Sequence, residues 1–277
     1  RTFLGIATGN TANRLLGYPR SVPPSELRSY IGIVRDLLDG KAVDFTYRGN
    51  TEEIQFLHRD RHYINLDSRI PIYVAANGPK AIKIAAELAD GWMTAGGFSE
   101  QIISAEVGKV RAAAEGANRT LGDDYLKCCT ISACVLRPGE KLTDERVVNQ
   151  TGSMVTTTLH HVYVFWEQNG RNNELIPPFF ADLWDDFLSE IDKLPTKSRF
   201  RYLHNGHATF LREDERRFVT PQAIRGSCII GEPDEIVEQV RSLERAGLTE
   251  LAFLPPADYQ RDVFRDVAEF IMPHFAE

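Results

Sequence analysis

The sequence predicts an α/β protein built on a parallel sheet, either a (β/α)8 barrel or a doubly wound sheet. Three observations carry this. Short apolar runs alternate with amphipathic helical patterns, and no hairpin signals fall between the runs. The stretch Ile70–Gly97, IPIYVAANGPKAIKIAAELADGWMTAGG, fits strand, tight loop, helix, tight loop and strand into one unit, the building block of a parallel sheet. No G-x-G-x-x-G fingerprint occurs, which weighs against a dinucleotide-binding sheet.

In chain order, Thr2–Ala7 reads as a strand, followed by the polar loop Thr8-Gly9-Asn10-Thr11-Ala12-Asn13. Pro23-Pro24 opens a helix whose apolar residues Leu27, Tyr30, Ile31, Val34, Leu37 and Leu38 recur at helical spacing until Gly40 ends it. Val43–Asp67 reads as an irregular excursion, with a turn at Gly49-Asn50 and strand-like pieces at Val43–Tyr47 and Tyr63–Asn65. The organising unit follows, with Pro79 at the first helical position and Ala89-Asp90-Gly91 as the stop. Ser99 fits an N-cap for a helix lined by Ile102, Ile103, Val107 and Val110, and Leu126–Leu136 is a long strand. Regular alternation then lapses over about residues 139–226, an insertion or lid carrying amphipathic helices at Met154–Trp166 and Phe180–Ile191. Ser227–Gly231 is a short apolar run and turn, Pro233–Ala246 a helix, Leu251–Leu254 a strand, and Tyr259–Phe275 a closing helix.

Composition narrows the function classes. The 277 residues suit one large domain or two ordinary ones, and a net charge of −7 disfavours a nucleic-acid surface. No run of about 18 apolar residues occurs, so no membrane span is expected. The four cysteines, Cys128, Cys129, Cys134 and Cys228, show no C-x-x-C spacing. They read as buried free thiols in a reducing, cytoplasmic setting, with no metal site.

The loop Asn77-Gly78-Pro79 carries the chemistry. A glycine before a helix start lets a ligand approach the backbone, where the N–H groups of Gly78, Lys80 and Ala81 and the positive end of the helix dipole meet it. That suits a phosphate or a carbonyl-rich ring; an ordinary helix cap is the alternative. His204 and His207, in the aromatic segment Phe200–Phe210, are candidate bases, or else surface or satisfied-core histidines. His160 and His161 cannot share a helix face, which argues against a metal site there. Phe165, Trp166, Phe179, Phe180, Trp184 and Phe187 could line an apolar pocket or pack as core, and Asp182, Asp185, Asp186 and Glu190 read as a solvated face.

Three segments, FLGIATGNTAN (Phe3–Asn13), IPIYVAANGPKAIKIAAELADGWMTAGG (Ile70–Gly97) and GEPDEIVEQVRSLERAGLTELAFLPP (Gly231–Pro256), resemble the luciferase-like monooxygenase superfamily of flavin- and deazaflavin-dependent (β/α)8-barrel oxidoreductases. The likeness is strongest to the branch using the deazaflavin coenzyme F-420 (F420). It implies an incomplete TIM barrel comprising the fourth to eighth strand–helix units, with the helical insertion about residues 139–226. The absence of an initiating methionine and a first residue set directly before a strand fit a partial copy of a longer chain. That in turn implies open sheet edges with Phe3, Ile6, Phe253 or their neighbours unusually exposed for apolar residues.

The resemblance also implies a site. Thr8, Gly9, Asn10 and Asn13 match the loop at the flavin ring edge and ribityl chain. Ala75, Ala76, Asn77, Gly78 and Pro79 match the loop under the ring, and Thr94 matches a position near the substrate mouth. Some sugar-phosphate members place a proton-donating glutamate where Asn10 stands; an amide does not titrate, so that oxidation is doubtful and the catalytic group is unassigned. The implied cofactor is FMN or coenzyme F-420. The implied partners are a small-molecule substrate, a flavin reductase for the FMN chemistry, and further copies of the full-length chain. With FMN the reaction is a monooxygenation; with F420 it is hydride transfer. A flavin-binding protein without turnover is the reading from another class.

Overall fold

The computed structural model describes residues 2–9, 11–17, 22–95 and 97–275. The chain, expected as one domain, groups into two compact units, residues 1–94 with 105–128 and residues 95–104 with 129–277.

The first unit opens with β1 (Leu4–Ile6), the short helix α1 (Thr11–Leu15) and α2 (Pro24–Leu38). Pro24 starts α2 because the first helical position needs no N–H, and Gly40, at φ 76°, lets the chain turn away after it. Leu27 and Ile31 are the buried pair of α2, whereas Tyr30, expected on the same face, is half exposed.

The Val43–Asp67 excursion differs from expectation. β2 (Val43–Tyr47) and β3 (Asn50–Ile54) form an antiparallel hairpin joined by Arg48 and Gly49, both at positive φ. That is the two-residue geometry whose twist matches the strands. The turn therefore falls one residue earlier than Gly49-Asn50. The piece Tyr63–Asn65 is bend and coil, not strand.

The organising unit forms as expected. β4 (Ile72–Ala75), α3 (Pro79–Leu88) and β5 (Gly91–Thr94) follow one another with tight loops. β1 pairs parallel with β4 (Leu4 opposite Ile72, Ile6 opposite Val74), and β4 pairs parallel with β5 (Val74 opposite Trp92, Ala75 opposite Met93). Ile72, Val74 and Trp92 are buried, as are Ile82, Ala85 and Ala86 of α3. Asp90 ties the unit together: its carboxylate accepts from the Ile72 backbone N–H at 2.9 Å, from Arg35 at 3.0 Å and from Arg69 at 2.8 Å. Arg119 donates to the Ala86 and Ala89 carbonyls, each at 2.9 Å, satisfying the orphan C-terminal groups of α3. On the other sheet face Phe3 stacks on Tyr73 at 4.3 Å, and Phe3 remains 39% exposed while Ile6 is half-buried.

α4 (Glu100–Glu115) is capped as expected, with the Ser99 hydroxyl accepting from Ile102 N–H at 3.2 Å. β6 (Leu126–Val135) begins beside β5, where Leu126 N–H donates to the Asp90 carbonyl at 3.2 Å.

In the second unit the remainder of β6 is followed by α5 (Glu145–Gln168), α6 (Ala181–Asp192), α7 (Thr196–Leu203), α8 (Pro221–Ser227), β7 (Cys228–Gly231), α9 (Pro233–Arg245), β8 (Glu250–Phe253) and α10 (Gln260–Phe270). β7 pairs parallel with the carboxyl half of β6, Ser132 opposite Cys228 and Val135 opposite Gly231. β8 also attaches to β6, where Leu254 N–H donates to the Ile131 carbonyl at 2.8 Å and the Ser132 hydroxyl donates to the Leu254 carbonyl. Phe253 is half-buried and Leu254 is exposed.

The aromatic residues of the insertion are core, not pocket. Trp166 meets Trp184 edge-on at 5.5 Å, and Phe187 meets Phe218 edge-on at 5.6 Å. Phe180, Trp184 and Phe187 are buried, each contributing about 2–3 kcal/mol of apolar burial. Phe165 faces outward, half exposed. The α/β class, with parallel pairing and strand–helix alternation, is the one the sequence predicts.

Candidate functional site

Parallel pairing sets the carboxyl ends of β1, β4 and β5 side by side, at about 4.8 Å spacing. Two residues past the Ile6–Val74 pair stand Thr8 and Ala76, and one residue past the Ala75–Met93 pair stand Ala76 and Thr94. The sequence-predicted residues are thus brought together at one end of one sheet, apart from Asn10, which lies outside the described residues.

In the β1 loop, Gly9 takes φ 68°, the left-handed region that a side chain disfavours. The Asn13 amide lies against it and reaches the Thr8 carbonyl at 3.5 Å, which also accepts from Val22 N–H at 2.9 Å. Thr8 and Asn13 are half-buried and Gly9 is exposed.

The β4 loop is held from below. The Ala76 N–H donates to the Met93 carbonyl at 3.0 Å, and the Ala76 carbonyl accepts from the Trp92 indole Nε1 at 2.7 Å. Both backbone groups of Ala76 therefore serve the scaffold. Thr94, 5% exposed, donates its hydroxyl to Asn77 Oδ1 at 3.1 Å, which turns the Asn77 NH2 outward as the remaining donor. Thr94 accordingly acts on the loop through Asn77.

Ala75, Asn77, Gly78 and Pro79 are exposed. Gly78 is the N-cap of α3 at φ −92° and ψ 154°, and no side chain caps the helix. A Cβ built on Gly78 meets nothing within 4 Å, so the space above the backbone is open. The first free N–H groups of α3 and its positive dipole end face that space. Pro79 contributes no competing donor. The cradle fits a ring or phosphate lying on the backbone, and a side chain at position 78 would fill it without disturbing the fold.

The histidines and carboxylates of the insertion make a separate cluster that sequence reading did not find. His160, 2% exposed, hydrogen-bonds through Nε2 to Glu215 Oε1 at 2.6 Å, and Arg212 Nη2 meets the same oxygen at 3.0 Å. Because a carboxylate only accepts, His160 Nε2 carries the proton. The Arg212 guanidinium lies over the Tyr202 ring at 3.7 Å, and Tyr202 donates to Asp214 at 2.7 Å. The rings of His204 and His207 lie 4.8 Å apart, tilted at 42°, on the turn after α7. Burial, then the neighbouring His160 and His161, holds His207 below the usual histidine range. Fifty-five residues separate His160 from Glu215, so no local motif announced the pair.

Strands paired in parallel, with the candidate loops gathered at their carboxyl ends, define an α/β protein of barrel type. The chain belongs to the luciferase-like monooxygenase family, whose model matches residues 1–250. It is 31% identical over 131 residues to an F420-dependent glucose-6-phosphate dehydrogenase of Mycobacterium tuberculosis, a match covering 44% of this chain and 37% of that one. The match thus spans little more than a third of the relative's length. Among solved structures, the F420-dependent tetrahydromethanopterin reductase of Methanopyrus kandleri shares the fold with a TM-score of 0.62 at 18% identity, covering 100% of this chain and 75% of that one. The oxygenating constituent of 3,6-diketocamphane monooxygenase of Pseudomonas putida, in complex with FMN, does so with a TM-score of 0.58 at 13% identity, covering 98% and 70%.

Proposed function

We propose that this chain is the cofactor-binding part of an oxidoreductase that takes coenzyme F420 on the loops after β1, β4 and β5 and transfers hydride to or from a small organic substrate. The open, uncapped backbone at Gly78 carries this reading. Thr8, Gly9, Asn10 and Asn13 would hold one side of the ring system and its chain; Ala75, Ala76, Asn77, Gly78 and Pro79 would support the other, with Thr94 orienting Asn77. The bound coenzyme would supply the redox chemistry, while the protein orients it and excludes water. The sequence likeness to an F420-dependent dehydrogenase supports the deazaflavin over FMN. Position 10, an asparagine, offers no titrating group, so the substrate class need not be that relative's.

A second reading takes reduced FMN, molecular oxygen and a flavin reductase partner on the same loops, and the family's description as monooxygenases favours it. Anaerobic titration with F420 and with FMN, followed by oxygen uptake, separates the two. F420 is expected to bind, and reduced FMN to give no protein-dependent oxygen uptake. Gly78→Val is expected to weaken F420 binding about tenfold or more at unchanged stability, because φ −92° suits any residue and the new methyls enter the ligand's space. Normal binding by Gly78→Val would remove the loop from the site.

A further inference from the structure

The turn after α7, residues 204–210, sits at the carboxyl end of β8. Three hydrogen bonds hold it in place. Ala208 N–H donates to the Thr157 hydroxyl of α5 at 2.7 Å, Ala257 N–H donates to the Thr209 carbonyl at 2.8 Å, and Arg212 Nη1 reaches the Asn205 carbonyl at 3.4 Å. Gly206 turns the chain at φ 85° without strain, but Ala208, a non-glycine, is held at φ 52°. A left-handed alanine costs about 1–2 kcal/mol, so the closed turn is maintained against a standing penalty.

Two histidines here differ, His160 buried on α5 and His207 half-buried within the turn itself. His160 has a carboxylate, Glu215, at 2.6 Å, and Arg212 completes the group. His207 has no hydrogen bond to a carboxylate among the described residues; its Nδ1, like that of His160, is buried with no partner. The groups facing it are His160 and His161 from α5 and His204 from its own turn, with Arg212 and Glu215 behind. A charge on His207 would form on a half-buried ring among other imidazoles.

We propose that residues 204–210 are an acid-released flap over the carboxyl end of β8, with His207 as the group whose protonation opens it and the Arg212–Glu215–His160 cluster as the fixed hinge. The lowered range of His207 sets the sign. Closure is complete above the ordinary histidine value of 6.5 and is lost as pH falls below it, since only the neutral ring is accommodated. The flap follows from the second unit alone and does not rest on the oxidoreductase reading.

Hydrogen exchange of the cofactor-free chain, corrected for the intrinsic pH dependence, tests it. Protection of residues 204–210 is expected to fall about tenfold between about pH 8 and about pH 5 while α5 keeps its own, and His207→Gln is expected to abolish that difference. Equal protection at both pH values, or parallel loss from α5, would overturn the proposal. If His207→Gln fails to fold, the imidazole resonances of the unmodified chain decide: His207 titrating at or above 6.5 overturns it. No cofactor enters these measurements, so their failure leaves the F420 reading standing, and failure to bind F420 leaves the flap.

Discussion

The indole Nε1 of Trp92 donates to the carbonyl of Ala76 across 2.7 Å, from a side chain with no exposed surface. A residue in the middle of β5 thereby fixes the backbone leading into Asn77 and Gly78. Trp92→Phe keeps much of the packing and removes the donor, leaving a buried carbonyl unpaired at a cost of about 1–3 kcal/mol. Urea denaturation is expected to show that loss, and F420 titration a weaker complex, although no ligand atom need touch Trp92. Unchanged stability and affinity would mean the loop is fixed by other means.

Glu215 is expected to be the least replaceable carboxylate of the second unit. It is 1% exposed and serves both Arg212 and His160. Glu215→Ala strands a buried guanidinium and is expected to destabilise by about 3–5 kcal/mol, read as a lowered urea midpoint. Glu215→Gln, which keeps shape and one acceptor, should lose less. Equal losses for the two would argue that volume, not charge, matters at this position.

The four cysteines are buried and none is in a disulfide. Burial pushes the Cys134 thiol up to about 12, and Cys228 is raised by burial and by Cys134. At pH 8 the thiolate fraction of Cys134 is then about a thousandfold below that of an ordinary cysteine. Native protein is expected to resist iodoacetamide at that pH and to take up four labels once unfolded. Rapid labelling of native Cys134 would show that the strand core opens locally.

Much of the first unit was legible because its signals are local. Pro79 after Gly78 announces a helix start, and the apolar run before it announces a buried strand; both stand where expected. The β2–β3 hairpin was not legible, because Asn50–Ile54 carries a single apolar residue and its turn begins on Arg48, a residue that seldom takes positive φ. The start of α5 was read late, at Met154, because Glu145–Gln150 is largely polar although Val147, Val148 and Gln150 are buried. Within the site, the residues followed from the loops, but the Thr94–Asn77 and Trp92–Ala76 contacts depend on strand register, which a single sequence does not display.

Val135 and Gly231 are register partners on adjacent parallel strands, their Cα atoms about 5 Å apart. The chain therefore departs from β6 and returns beside it as β7, and residues 136–227 are a detour with a common door. Such a detour is interchangeable: it can lengthen, shrink or be traded between relatives without moving β6 or the attachment of β8 at Ile131. Natural variety in this family, and any attempt to graft a new substrate specificity onto this scaffold, should concentrate between those two residues.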